Sequence, residues 1–295
     1  MRAIRKCLGG LAAGGLLAMA MSPAFAFNVA SFWWDPSQAS KWGASNQIGT
    51  AGGVVTWSLI PDETGIQPDA PVDGLSGTSN LSSVFAQVGG ETAALGMIEE
   101  AFEAWSSVAN LSFVRVTDDG TPFNAPYDAG QSIGHIRIGA YAMDGFTGAV
   151  GYVPPPNGGT TLEGDIVFNA SNTFGIAPGN EGDLYELYPE SNGFFYLNDF
   201  QGLFTHELGH ALGMLHSGVP TALMCGYVDP AFDGSQCAYM DPDGDGKSIV
   251  NRVPDADDVA GIQYLYGAPP PVPEPGTCAL AIAGLGLLLA RMRRR

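Results

Sequence analysis

His206, Glu207, His210, Gly213 and His216 stand in the spacing H-E-x-x-H-x-x-G-x-x-H. On a helix, His206 and His210 lie one turn apart and project their imidazoles from one face toward a single ion, while Glu207 is rotated by about 100° from His206 and reaches a water held beside it. Gly213 allows the left-handed conformation that ends a helix, so the chain can turn back and bring His216 to the ion from outside. Three imidazoles suit zinc and leave a fourth position open for water. Zinc lowers the pKa of such a water roughly from 15.7 to about 7 and polarises a carbonyl, and Glu207 can take the water proton and pass it to a leaving amine. The arrangement implies metal-assisted hydrolysis without a nucleophilic side chain. A bare H-E-x-x-H also occurs as two surface histidines on an amphipathic helix. Here the eleven-residue pattern holds three of the four histidines in the chain, His135 being the other.

Further elements must position that motif. Residues 91–110 carry Leu95, Ile98, Phe102, Trp105 and Val108 at helical spacing, and the strand-like run Leu111 to Val116 follows. Ala222-Leu223-Met224 places a methionine eight residues after His216. With H-x-x-G-x-x-H-S before it, this resembles the metzincin peptidases, whose Met-turn packs a thioether beneath the three imidazoles. Gly226, where astacins and serralysins typically carry tyrosine, makes the matrixin branch, the matrix-metalloproteinase-like peptidases, the better likeness.

That resemblance covers about residues 54 to 267. It implies an α+β zincin fold, a twisted and mostly parallel sheet with an antiparallel edge strand, about three helices, and a zinc cleft below the edge strand. Residues 56–60 resemble the opening strand, 135–138 the third, 148–154 the edge strand, 164–169 the strand after it and 257–267 the closing helix. A free edge strand beside zinc implies that extended peptides pair with it by backbone, so protein or peptide substrates are expected.

Departures from the family pattern matter as well. Gly151 and Val167 are read as standing where vertebrate matrixins have histidines for a second, structural zinc, so one catalytic zinc is expected. Asp165 and Asn169 remain as oxygen ligands for calcium. Asp241, Asp243 and Asp245 form D-x-D-x-D-G, the first half of an EF-hand-like loop, but Arg252 occupies its twelfth position and excludes a whole EF-hand. A partial calcium loop and a solvated acidic turn both fit. The propeptide signature P-R-C-G-x-P-D is absent. An insertion between Phe168 and Phe200 is expected to rim the cleft.

The termini indicate where the protein acts. Residues 1–26 combine Arg2, Arg5 and Lys6, an apolar run from Leu8 to Met21 and the exit Ala24-Phe25-Ala26, which reads as a secretory signal cleaved after Ala26. Residues 27–268 form the expected catalytic domain and 269–276 a proline-rich linker with Pro273-Glu274-Pro275. Residues 277–295 carry an apolar run from Cys278 to Ala290 and a tail rich in arginine. The tripeptide, apolar run and tail resemble the PEP-CTERM sorting signal of Gram-negative bacteria. It implies export, an exosortase-type processing enzyme as partner, transient membrane association and a final place at the cell surface or outside the cell.

Residues 27–273 hold five basic against 29 acidic residues, a net charge of −24, which disfavours nucleic acid and anionic lipid and favours divalent cations. Cys7 leaves with the signal and Cys278 lies in the tail, so Cys225 and Cys237 remain as a disulfide expected in an oxidising compartment, with two free thiols as the alternative. The expected function is that of an exported zinc endopeptidase. A non-catalytic, metal-stabilised surface or biofilm-matrix module is the alternative, against which the intact Glu207 argues. Elemental analysis of the purified protein is expected to find one zinc per chain, and two would contradict the reading of positions 151 and 167.

Overall fold

The computed structural model describes residues 26–145, 147–155, 159–186, 198–228, 234–240, 243–244 and 246–271. Residues 1–25 of the expected signal and the sorting tail from 272 onward therefore lie outside the described residues, as do Asp241 and Asp245.

A five-stranded path forms the frame. Its strands are β1 (Gly53–Leu59), β2 (Leu111–Arg115), β3 (Ile136–Met143), β4 (Ala149–Gly151) and β5 (Ile166–Asn169), in the spatial order β2-β1-β3-β5-β4. All neighbours are parallel except the antiparallel pair β4 and β5, so β4 is the antiparallel edge. Seven of the eight residues of β3 are buried, as expected of a central parallel strand covered on both faces.

Among the described residues four α-helices accompany the sheet: α1 (Leu81–Gln87), α2 (Glu91–Val108), α3 (Phe200–Ala211) and α4 (Ala256–Tyr266). The sequence implied about three. Seven-residue α1 buries Leu81, Val84 and Phe85, one turn's worth of apolar periodicity that is too short to stand out from a strand or loop.

The α2 stripe read from the sequence packs α2 against both the sheet and α3. Phe102 stacks on Trp57 of β1 with ring centroids 4.9 Å apart and meets Phe204 of α3 edge-on at 5.7 Å. Trp105 is fully buried, and its indole N–H donates to the Thr205 carbonyl at 2.9 Å. This bond pins α3, one residue before His206, to the main core.

The opposite sheet face buries a smaller cluster of Ile60, Phe123, Tyr141, Met143 and Val167. Arg137 of β3 is fully buried there. Its guanidinium bonds both carboxylate oxygens of Asp118 at 2.8 and 2.9 Å and the Thr121 carbonyl at 2.7 Å. The pair holds the 116–123 loop against the sheet. Removing one partner leaves the other charged and desolvated. Asp118→Ala is expected to lose about 3–5 kcal/mol in urea unfolding, and Asp118→Leu combined with Arg137→Met considerably less.

Candidate active site

Helix α3 begins at Asp199, whose side chain accepts from the Gly202 N–H. The same carboxylate takes two hydrogen bonds from Arg252, each 2.7 Å long. Arg252, which in sequence only ruled out an EF-hand, therefore fixes the start of the helix bearing the histidines. Gly213 follows that helix with φ at 95°, and a Cβ there would lie 2.2 Å from the Ser40 carbonyl oxygen. Only glycine suits both demands. The chain then runs through Met214–Leu215, paired antiparallel with Asn28–Val29, and delivers His216.

One ring nitrogen from each of His206, His210 and His216 falls within a 4.8 Å cluster, and the Nε2 atoms of His210 and His216 are 3.2 Å apart. The other nitrogens face backbone carbonyls: Nδ1 of His206 meets Leu223 O at 2.7 Å, Nδ1 of His210 meets Met214 O at 2.9 Å, and Nδ1 of His216 meets Tyr227 O at 3.0 Å. A carbonyl only accepts, so each Nδ1 carries the proton and each Nε2 turns a lone pair toward the shared centre. Burial pushes His206 and His210 down to about 4, which favours the neutral imidazole a metal needs. The donor set therefore fits a zinc ion. Among the described residues this is the one group of three or more His, Cys, Asp or Glu side chains arranged to hold a metal.

Glu207 is buried, and its Oε2 accepts the Gly151 N–H of β4 at 2.6 Å. Burial raises its pKa above the ordinary carboxylate range, as suits a proton acceptor. A cleft of about 850 Å³ opens beside Glu207, His210 and His216, bounded by β4 on one side and by Asn28, Val29, Tyr227 and Val228 elsewhere. None of the described residues of the insertion expected at its rim lines this cleft. They pair instead as Phe174–Gly175 with Asn198–Asp199 and as Leu184–Glu186 with Lys247–Ile249.

Met224 is fully buried, and its Sδ would be 2.2 Å from a Cβ at Gly209, so the thioether occupies the space of a missing side chain on α3. A Cβ at Gly226 would lie 2.6 Å from the His216 ring, which leaves no room for a side chain two residues after the methionine.

A family model described as matrixin matches residues 85–267, and a model of the PEP-CTERM protein-sorting motif matches residues 271–295. The chain belongs to the matrixin family of peptidases. This matrixin is 30% identical over 192 residues to a macrophage metalloelastase from Oryctolagus cuniculus, covering 61% of the chain and 32% of that relative. It is 32% identical over 173 residues to matrix metalloproteinase-20 from Homo sapiens, covering 58% and 27% respectively. Stromelysin-2 from Rattus norvegicus is 27% identical over 173 residues, covering 59% and 28%. The chain thus spans about a third or less of the length of these relatives.

Other site residues read from the sequence fall as follows. Cys225 and Cys237 are disulfide-bonded, with Cα atoms 5.7 Å apart. Asp165 is fully buried and accepts the Arg137 N–H at 2.8 Å, with the Arg137 charge opposing the strong upward push of burial on its pKa. Asn169 accepts from the N–H groups of Met143 and Ser171 and donates to Thr147 O, so its amide braces the turn after β5. Asp243 lies exposed in a turn. In the β4–β5 register Val150 lies opposite Val167 and Gly151 opposite Ile166, and Gly151 would clash with the Glu207 carbonyl if it had a side chain. Val150 and Val167 belong to an apolar cluster and carry no imidazole.

Two contributors escaped the sequence reading. Asp258 of α4 is fully buried and accepts from the N–H groups of Leu223, Met224 and Asp255 at 2.7, 3.0 and 2.9 Å, tying the Met-turn to α4. Its only sequence signal is Asp255-x-x-Asp258, a capping pattern at the start of a helix. Tyr239 lies past the disulfide loop, donates its hydroxyl to Cys225 O, and places its ring 6.4 Å from that of His206. Burial raises its phenol to about 12. Asp258→Ala is expected to destabilise the fold by about 3 kcal/mol or more. By displacing Leu223 O, it is also expected to weaken zinc binding by about 10–100-fold in chelator competition.

Proposed function

We propose that the processed chain is an exported zinc-dependent endopeptidase that hydrolyses peptide bonds of proteins outside the cytoplasm. The observation that carries this reading is the convergence of three imidazoles with buried Glu207 beside a cleft whose wall is a one-sided edge strand.

Zinc held by His206, His210 and His216 would supply the Lewis acid that polarises the scissile carbonyl and acidifies the attacking water. The chain's own residues supply orientation and proton transfer. The Nδ1 bonds to Leu223, Met214 and Tyr227 carbonyls hold the imidazoles in place. Glu207 accepts the proton of the attacking water and returns it to the departing nitrogen, so it ends the cycle in its starting state. Gly151 N–H fixes the carboxylate during both transfers. Among the described residues β4 hydrogen-bonds β5 on one side only, so an extended substrate can add as a further strand and be aligned by its backbone.

The sorting motif supports export from a Gram-negative cell, recognition by an exosortase-type enzyme, and retention of residues 277–295 at a membrane until processing. No helix among the described residues is long and apolar enough to cross a membrane.

Zinc-loaded protein is expected to cleave a denatured protein, whereas Glu207→Ala is expected to bind one zinc and lose at least about 100-fold in kcat. Absence of cleavage by zinc-loaded wild type would favour the binding-module reading.

A further inference from the structure

A hairpin near the processed N-terminus, Ser31–Phe32 paired with Asp35–Ala39, turns at Trp33 and Trp34. Trp33 is 87% exposed and Trp34 62%. Phe32 stacks on Trp34 with centroids 4.8 Å apart, and Trp33 meets Trp34 edge-on at 5.6 Å. The remaining tryptophans, Trp42, Trp57 and Trp105, are all buried in the main core. Two indoles at the hairpin tip expose a large apolar area that nothing among the described residues covers.

The hairpin is joined to the point where the domain ends. Ile48 N–H donates to Ser37 O, and the adjacent Gly49 N–H donates to Leu265 O, both at 3.0 Å. Leu265 lies two residues before Gly267, which caps α4. Ser37 is three residues from Trp34, about 10 Å of extended chain, so tip and exit lie within roughly 25 Å of each other. Residues 268–276 include five prolines and reach about 28 Å in a polyproline conformation. The apolar run from Cys278 and the arginine-rich tail follow. A membrane holding that tail therefore lies within reach of the tip. The domain's strong negative charge disfavours anionic lipid headgroups, whereas indoles settle at the polar–apolar boundary of a neutral bilayer without needing charge.

We propose that the Trp33–Trp34 tip is a bilayer-interface contact that seats the catalytic domain on the membrane holding its own C-terminal segment. Docking at two points limits the orientations that the domain can take at that surface. The inference rests on membrane retention of the tail and not on peptidase activity.

The test uses the processed chain with its tail intact, reconstituted into phosphatidylcholine vesicles with or without bromine on the upper acyl chain. Flotation reports the tail. Tryptophan emission reports the tip, because the other three indoles are in the core. The expected result is flotation, a blue-shifted emission, and quenching by brominated lipid that exceeds quenching by aqueous iodide. Trp33→Ala with Trp34→Ala should float equally, retain its far-ultraviolet circular dichroism and lose the bromine-dependent quenching. Flotation with emission quenched by iodide and insensitive to bromine would overturn the docking while sparing the tail. Shielding of the indoles from iodide by a soluble polysaccharide, without bromine quenching, would overturn it in favour of sugar binding. Failure to float would overturn both the tail's retention and the docking.

Discussion

Each of the three converging imidazoles is held by a hydrogen bond from its Nδ1 to a backbone carbonyl, and much of the surrounding structure exists to keep those carbonyls still. Leu223 O belongs to the Met-turn, whose N–H groups are gathered by Asp258. Met214 O lies in a short strand paired with Asn28–Val29. Tyr227 O follows Cys225, one end of the disulfide. Three remote parts of the chain, the N-terminal segment, the Met-turn with α4 and the disulfide loop, thus determine where three lone pairs point. Such outer partners influence a metal centre nearly as much as its ligands do, because they set tautomer and ring orientation together.

The acidic composition acquires a structural meaning from this arrangement. Several carboxylates are buried or partly buried, and each does something definite. Asp199 caps α3 and grips Arg252, Asp257 accepts from Ser217 beside His216, and Asp258 holds the Met-turn. Burying a carboxylate costs several kcal/mol unless hydrogen bonds or an opposite charge offset it. In these three cases backbone N–H groups, a hydroxyl or a guanidinium supply the offset. Glu207 differs from these three: it has one backbone donor, and burial raises its pKa.

Access to the site is equally shaped by backbone. The edge strand β4 sits so close to α3 that Gly151 can carry no side chain, and this closeness puts its N–H on Glu207. The same strand leaves its outer side to the cleft. One three-residue strand thus touches both Glu207 and the cleft.

The metal-binding motif was legible in the sequence because its geometry is local: helical periodicity alone puts His206 and His210 on one face, and a glycine alone permits the reversal toward His216. The stripe from Leu95 to Val108 was legible for the same reason, since period and burial coincide along one helix. What tertiary structure decided was everything that depends on contact between distant segments. The approach of β4 to α3, which leaves Gly151 no space for a side chain and puts its N–H on Glu207, is one such contact. The burial of Arg137 against Asp118, the reach of Asp258 to a turn 34 residues earlier, and the grip of Arg252 on the start of α3 have no periodic signature, because an isolated charged residue reads alike whether solvated or buried. Local backbone geometry therefore determined which side chains could do the chemistry. Long-range hydrogen bonds, invisible to spacing, decided how those side chains are aimed.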